Sequence, residues 1–189
     1  MRIIGGEFRS RRLLAPASDA TRPITDRVKQ SLFDILNPYL DGARVYDCFA
    51  GTGSMGLEAL SRGASHATFF EVERSAATLL RKNIASLGVQ DRSTIVDRDL
   101  FAWFHAPPPQ QQVDVVFLDP PYRFLTERPE ALQQLAGRIA QHLSDDGIVS
   151  FRHDAQDELA LPPLTTVDQR TYGGMMIELM QRRRQGDEP

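Results

Sequence analysis

The stretch DCFAGTGSMG, residues 47–56, decides the fold of this chain of 189 residues. It begins inside the predicted strand ARVYDCF (43–49) and ends inside the predicted helix MGLEALSR (55–62). Its glycines at 51, 53 and 56 form an uninterrupted G-x-G-x-x-G. A strand, a glycine-rich turn and a helix in this order are typical of the unit that meets the ligand in a doubly wound sheet.

Strand and helix patterns alternate on the C-terminal side of this stretch. Apolar runs predict further strands at 67–72, 93–97, 113–118, 147–151, 165–172 and 175–181. Helical patterns between them cover 74–87, a short stretch near 100–104, and 129–143. Repeated β–α units place parallel strands between two layers of helices. We therefore predict an α/β fold with a mostly parallel seven-stranded sheet and an antiparallel C-terminal hairpin, turning at Gly173-Gly174.

The N-terminal residues predict a separate basic element. RIIGGEFRSRRL (2–13) predicts a β-hairpin that turns at Gly5-Gly6 and carries Phe8 in its second strand. A loop follows, and then TDRVKQSLFDIL (25–36) predicts a helix that Thr25 caps and Pro38 ends. The expected organisation is a basic hairpin with its linker over residues 1–20 and one α/β domain over 21–189.

Composition limits the class of protein. Hydrophobic residues make up 41% and charged residues 25%, as in an ordinary soluble globular protein. The chain shows no run long enough to span a membrane and no secretory signal, so we expect a cytoplasmic protein without a membrane partner. Its single cysteine, Cys48, allows neither an intrachain disulfide nor a cysteine metal cluster, and we expect no metal. No apolar surface helix is left over, which favours a monomer.

Charge is distributed unevenly along the chain. Residues 1–30 hold seven basic and three acidic residues, a net charge of +4, which leaves −7 for the rest of a chain of net charge −3. This asymmetry is expected where one end of a protein meets a polyanion, although a solvated surface strand is the alternative. The residues predicted to contact phosphates are Arg9, Arg11, Arg12 and Arg22, with Arg2, Arg27 and Lys29 as further candidates.

The charges around the glycine loop indicate its ligand. Asp47 precedes Gly51 by four residues, and no Lys or Arg occurs between Asp47 and Arg62. A carboxylate repels the pyrophosphate of a nicotinamide dinucleotide, but it suits the sulfonium and ammonium of S-adenosylmethionine. The loop also lacks the lysine of the phosphate-binding loop that holds nucleoside triphosphates. We predict that S-adenosylmethionine is bound by the loop residues Asp47, Phe49, Ala50, Gly51, Thr52 and Gly53.

Two later strand ends supply further candidates for the cofactor site. Glu71 ends the second predicted strand of the sheet, where a carboxylate can accept both ribose hydroxyls, and Val72 beside it can pack on adenine. Asp99, with Leu100, follows the third strand and can reach the adenine amino group. Asp97 lies two residues away and has the same chemistry, so that choice stays open.

The segment FLDPPY, residues 117–122, predicts the reaction. Two prolines after a buried strand fix the backbone and remove two N–H donors, which leaves the Asp119 carboxylate and the Pro120 carbonyl as acceptors. Two acceptors complement an exocyclic amine, and Tyr122 offers a flat face for a base. Methyl transfer to that amine then requires mainly positioning and electrostatics. We predict Asp119, Pro120, Pro121 and Tyr122 as the catalytic segment.

Together these motifs resemble the bacterial RsmD family, and the similarity covers nearly the whole chain. It rests on RIIGGEFRSRRL, RPITDRVKQSLFDIL, DCFAGTGSMGLEALSRGA, FFEVER and FLDPPY. The resemblance implies a Rossmann-like class I methyltransferase that uses S-adenosylmethionine. It implies the N2 amine of a guanine in small-subunit (16S) ribosomal RNA as the target, in the assembled 30S subunit or a late precursor. The chain departs from the family at VSFRHD, where Arg152 and His153 replace a common acid, and at Ile24.

Other functions stay open at this point. The same chemistry could serve adenine N6 or cytosine N4 in DNA, since D-P-P-Y does not distinguish the base. A nicotinamide-dependent oxidoreductase would use the glycine motif, and a binding module would keep the fold without turnover. The basic tail Arg182 to Arg184 could contact RNA or be solvated.

Overall fold

The computed structural model describes residues 1–16 and 24–183 of the chain. Its strands are β1 (Arg44–Cys48), β2 (His66–Phe70), β3 (Ser93–Val96), β4 (Val113–Leu118), β5 (Leu143–Asp154), β6 (Leu164–Tyr172) and β7 (Met175–Arg182). Its α-helices are α1 (Asp26–Leu36), α2 (Ser54–Ser61), α3 (Arg74–Leu87), α4 (Leu100–Trp103), α5 (Arg123–Glu127) and α6 (Pro129–His142). Among these described residues, none of the helices is long and apolar enough to cross a membrane.

The strands form one seven-stranded sheet in the order β3-β2-β1-β4-β5-β7-β6. The pairs β3·β2, β2·β1, β1·β4 and β4·β5 are parallel, whereas β7 runs antiparallel to both β5 and β6. Cys48 pairs with Phe70 on one side and with Leu118 on the other, so β1, β2 and β4 end at the same level. The predicted mostly parallel sheet with an antiparallel C-terminal pair is confirmed.

The sheet separates two hydrophobic clusters. Val45 packs into the cluster beneath α1, α2 and α3, and the next residue, Tyr46, packs into the cluster beneath α4 and α6. Successive side chains of a strand point to opposite faces, so a central strand with both faces covered must be apolar throughout. This explains the continuous apolar run of β4. Helix α1 begins at the predicted cap, where the Thr25 hydroxyl accepts a hydrogen bond from the Val28 amide.

The N-terminal segment, residues 1–14, differs from the predicted hairpin. Arg2 and Arg12 form a single antiparallel bridge, and the turn lies at residues 7–10 instead of Gly5-Gly6. The reason is a competing acceptor, because the carboxylate of Glu58 takes the amides of Ile4 and Gly5 at 2.8 Å each. Those amides are therefore unavailable to a strand ladder. The predicted domain boundary at residue 20 falls in residues 17–23, outside the described residues, and stays a prediction.

Two other features differ from the expected elements. β5 begins at Leu143, four residues before its predicted start, and its pairing with β4 shifts register between Val113 and Val115. The helix α5, which follows the proline pair, was not predicted. It spans only five residues, too few for an apolar period to be recognised in the sequence.

Candidate active site

The glycine loop after β1 has a backbone that few residues can adopt. Gly51 and Gly53 have φ angles of 56° and 84°, in the left-handed region. A Cβ on Gly53 would also lie 2.4 Å from Cδ1 of Leu80 in α3. Phe49 has a φ of 62°, which is uncommon for a residue with a side chain, and its ring packs edge-on against Phe124 with 5.9 Å between centroids. The loop is therefore held against both α3 and the segment that follows β4.

Asp47 lies beneath this loop and is buried. Its Oδ2 accepts a hydrogen bond of 2.8 Å from the amide of Gly56 in the first turn of α2. Burial raises the pKa of Asp47 to about 8, with smaller contributions from the nearby carboxylates of Asp119 and Glu71 and against the opposing hydrogen bond from Gly56. Asp47 therefore braces the start of α2 and belongs to a group of acids that the fold has forced together.

Glu71, just after β2, fixes the loop from the other side. Its two carboxylate oxygens accept the amides of Gly51 and Glu73, at 2.7 Å each. Burial raises the pKa of Glu71, and these two hydrogen bonds oppose the rise. The adjacent Val72 is 66% exposed, a large apolar side chain with an open face. Glu71 thus orders the loop, and Val72 offers an apolar surface beside it.

The third strand end contains the two acids that the sequence could not separate. Asp99 caps α4 by accepting the Ala102 amide at 3.1 Å, and Leu100 next to it is buried in the core. Asp97 instead forms an exposed ion pair of 2.7 Å with Arg81. The two carboxylates therefore have different partners.

The catalytic segment predicted from sequence follows β4, in the strand position next to β1. Pro120 is buried, Pro121 is exposed and Tyr122 is half-buried. Asp119 accepts two hydrogen bonds from the guanidinium of Arg152, one of them from Nε at 2.7 Å. Burial raises the pKa of Asp119, and the guanidinium opposes that rise. The sheet thus brings Asp119 within electrostatic reach of Asp47.

Arg152 was recognised in the sequence only as a departure from a family pattern. Its position in β5 explains the contact, because Phe151 pairs with Leu118 and the next residues, Arg152 and Asp119, emerge side by side. The signal in the sequence was a charged residue at the carboxyl end of an apolar strand. Identifying its partner required the register between β4 and β5.

The predicted phosphate-binding residues have different environments. Arg9, Arg12 and Arg27 are exposed, Arg11 donates to the Ser86 carbonyl, and Arg2 forms an exposed ion pair with Asp26. Arg22 lies outside the described residues. Lys29 is 2% exposed and lies 3.1 Å from the Glu58 carboxylate. A buried lysine in an ion pair cannot meet a phosphate in this structure, so its contacts here are those of a core residue.

The N-terminal segment lies directly beside the glycine loop. The hydroxyl of Thr52 is 3.7 Å from the sulfur of Met1. The buried side chain of Asn83 in α3 donates to the carbonyls of both Thr52 and Leu14, at 3.0 and 3.1 Å. An open groove of about 620 Å³ beside Met1 is lined by Arg2 and Arg12. Sequence reasoning did not identify Asn83, because an asparagine in a helix carries no recognisable pattern.

No cluster of side chains suited to a metal ion occurs in the part of the chain that the structure describes. Around Asp47, the groups that act on its charge are instead two further carboxylates, Asp119 and Glu71, and the guanidinium of Arg152. Such a site suits a cationic ligand and an amine donor more than an anionic one.

Comparisons with known proteins agree with this architecture. The family model described as Conserved hypothetical protein 95 matches residues 1–181. "Ribosomal RNA small subunit methyltransferase D" of Escherichia coli K12 is 34% identical over 190 residues, covering 99% of this chain and 92% of that protein. The protein of the same name from Haemophilus influenzae is 41% identical over 125 residues, covering 66% and 65%. The solved structure of yhhF from Escherichia coli superposes with a TM-score of 0.83 at 31% identity, covering 98% and 99% of the two chains.

Proposed function

The chain belongs to the family described as Conserved hypothetical protein 95, the RsmD family that its motifs resemble, and from this premise we propose that it methylates ribosomal RNA. The proposed reaction transfers a methyl group from S-adenosylmethionine to the exocyclic N2 amine of a guanine in the small-subunit RNA. The observation that carries the proposal is the position of Asp119-Pro120-Pro121-Tyr122 after β4, beside the glycine loop that follows β1.

The cofactor assignment is supported by the charge and shape of the loop. Asp47 and Glu71 place carboxylates below and beside the glycines, and the described loop contains no lysine or arginine for a pyrophosphate. The open face of Val72 is suited to a purine ring, and Glu71 is suited to ribose hydroxyls. We propose that Asp47, Glu71, Val72, Asp99 and the loop backbone hold the cofactor, with Phe49 and Leu100 packing behind them.

The catalytic segment provides acceptors for an amine. An exocyclic amine of a base is a weak nucleophile, because its lone pair is delocalised into the ring. The Asp119 carboxylate and the Pro120 carbonyl would accept its two N–H groups, holding the nitrogen and favouring a pyramidal geometry. S-adenosylmethionine would supply the methyl group and leave as a neutral thioether, so that the C–S bond lost balances the N–C bond formed by the amine lone pair. The Asp119 carboxylate would stabilise the positive charge on the methylated nitrogen until that nitrogen loses one proton to water.

The substrate assignment is supported by the N-terminal segment. Arg9 and Arg12 are exposed on it, and the groove beside Arg2 and Arg12 is also lined by Met1, whose sulfur lies 3.7 Å from the hydroxyl of Thr52 in the glycine loop. Residues in this arrangement can bind phosphates while the target base enters the catalytic segment. Recognition by shape and phosphate placement suits a folded RNA whose base has been swung out of its stack.

The experiment that tests the proposal uses the purified chain and S-adenosylmethionine with a labelled methyl group. Unmethylated small subunits, naked small-subunit RNA and duplex DNA are offered in parallel, and the labelled nucleoside is identified after digestion. We expect N2-methylguanosine, formed with small subunits. Label in N6-methyladenine or N4-methylcytosine from DNA would overturn the substrate while keeping the amine chemistry, and no label on any substrate would overturn the enzymatic function.

A further inference from the structure

Arg152 and Asp119 form a two-point contact at the centre of the candidate site. The guanidinium donates through Nε and Nη2, so that each carboxylate oxygen of Asp119 receives one hydrogen bond. The side chains of Arg152 and Asp119 are only 15% and 24% exposed. A fork-to-fork pair fixes the plane of a carboxylate as well as its charge, which a single contact does not.

The surroundings of Asp119 make this partner important. Asp119 interacts electrostatically with Asp47 in β1. Glu71, just after β2, also raises the pKa of Asp47. Arg152 from β5 opposes the rise in pKa of both Asp47 and Asp119. Tyr122, in the same segment as Asp119, raises the pKa of the Arg152 guanidinium electrostatically. Burial therefore favours a protonated Asp119, and the guanidinium of Arg152 counteracts it.

We propose that Arg152 is the positioning residue of Asp119: it keeps the carboxylate ionised and holds its plane, so that its remaining lone pairs accept the target amine. This inference rests on the proposed methyl transfer and deepens it. A carboxylate oxygen can accept more than one hydrogen bond, so the guanidinium and an amine can share Asp119. Arg152 acts through Asp119 and does not itself touch the reacting nitrogen.

Two other roles for Arg152 make different predictions. If the pair were a latch that blocks Asp119 until RNA binds, removing the guanidinium would raise turnover. If Arg152 bound an RNA phosphate, its removal would raise the KM for RNA at unchanged kcat. A positioning role instead lowers kcat and changes its dependence on pH, with little effect on the KM for RNA.

The test compares Arg152→Gln and Arg152→Lys with the unmodified chain and with Arg170→Gln. Arg170 pairs with Asp168 at 2.9 Å on the exposed strand β6, so it provides a matched loss of an arginine–aspartate pair away from the site. Turnover is measured from pH 5 to 9 at saturating cofactor on the substrate that the unmodified chain methylates.

In Arg152→Gln, the acidic limb of the plot of kcat against pH should move to higher pH by about one unit or more. An opposite charge at this range lowers a carboxyl pKa by that amount, and the variant loses this charge. The sign follows from the need for an ionised Asp119, because activity falls as the pH drops through its pKa. Arg152→Lys should restore the limb in part while kcat stays low, because an ammonium supplies the charge without the fork. Arg170→Gln should match the unmodified chain.

A second measurement does not depend on turnover. Aspartate labelled with ¹³C at the carboxyl carbon gives a titrating signal for Asp119, assigned by its loss in Asp119→Asn. Its midpoint should rise in Arg152→Gln and not in Arg170→Gln. An unchanged midpoint, a raised kcat, or an effect confined to the KM for RNA would each overturn the proposed role of Arg152. Failure of the unmodified chain to methylate any substrate would instead overturn the proposed function.

Discussion

Asp119 is the residue on which the proposed chemistry depends most directly. Asp119→Asn keeps the size of the side chain and one acceptor, but it removes the charge that stabilises the positive nitrogen. We expect kcat to fall by about 10²- to 10⁴-fold, the range for a positioned group that acts on a proton. Binding of S-adenosylmethionine, measured by calorimetry, should change little.

Asp114→Asn is the matched control for that experiment. Asp114 lies at the amino end of β4, the strand that Asp119 follows, and it accepts the Arg44 amide and the Ser144 hydroxyl at 2.9 Å each. An asparagine oxygen can accept the Arg44 amide, and its NH2 group can donate to the Ser144 hydroxyl, so kcat should stay near that of the unmodified chain. Equal losses from both variants would indicate a general effect on the strand and would contradict a catalytic Asp119.

The raised pKa of Asp47 predicts that cofactor binding releases a proton. With its pKa raised to about 8 by burial and neighbouring acids, Asp47 is mostly protonated at pH 7 without a ligand. A cationic ligand favours the ionised form and should displace that proton. We expect the release of about one proton at pH 7, declining above pH 8, and an affinity that rises with pH up to that point.

Calorimetry in buffers of different ionisation enthalpy measures this release. Asp47→Asn should abolish it while keeping an acceptor for the Gly56 amide, and it separates Asp47 from Glu71, whose pKa burial also raises. A binding enthalpy independent of the buffer in the unmodified chain would show that Asp47 does not ionise when the ligand binds.

Among the elements, the attachment of the N-terminal segment to α2 depends on one glycine. Gly6 has a φ of 74°, and a Cβ there would lie 1.8 Å from the backbone carbonyl oxygen of Ser61. That carbonyl accepts the Glu7 amide at 2.7 Å, and the Ser61 hydroxyl donates to Gly5 at 2.6 Å. An alanine at position 6 must therefore displace the segment from the end of α2.

We predict that Gly6→Ala raises the KM for the RNA substrate about thirtyfold, the effect of losing two contacts of the order of 1 kcal/mol each. Cofactor affinity should be nearly unchanged. Gly42→Ala is the matched control, because Gly42 has a similar φ of 70° with no atom within 4 Å of its would-be Cβ. It should cost only the left-handed strain of about 1 kcal/mol in unfolding free energy. A KM that rises equally in both variants would count against a role of the segment in RNA binding.

Elements with their own periodic pattern could be predicted from the sequence. The predicted bounds of α3 and β4 agree with the structure, because an amphipathic period, a closing Gly88 and a continuous apolar run are local signals. The N-terminal turn could not be predicted, since it depends on Glu58, more than fifty residues away in the chain. Helix α5 lacked a recognisable period for its length.

In the candidate site too, some features could be predicted from the sequence and others could not. The positions of Asp119 and the glycine loop follow from strand ends in a parallel sheet, which the sequence already orders. The partner of Asp119 does not, because it depends on the register of β5 against β4. Nor could the burial of Lys29 be seen, since its pairing with Glu58 arises only when α1 packs beside α2.

At the scale of the whole molecule, the distribution of charge should control association with RNA. Residues 1–30 carry +4 and the remainder −7, and the exposed Arg9 and Arg12 lie on the segment that borders the glycine loop. Phosphate contacts release counterions, so the logarithm of affinity falls linearly with the logarithm of salt concentration. The acidic remainder should keep other surfaces of the molecule from the RNA backbone.

Changing Arg9 and Arg12 together to Gln should therefore weaken binding to small subunits and reduce the slope of that salt dependence by about 1.5, the contribution of two phosphate contacts. The matched control changes Arg138 and Arg170 to Gln, two exposed residues on α6 and β6 with the same total loss of charge. Filter binding from 50 to 300 mM salt, on the order used for such titrations, measures the slope of each variant. If only the N-terminal pair lowers the slope, specific phosphate contacts are responsible. If both pairs lower it equally, net charge governs the association and the N-terminal segment has no particular role.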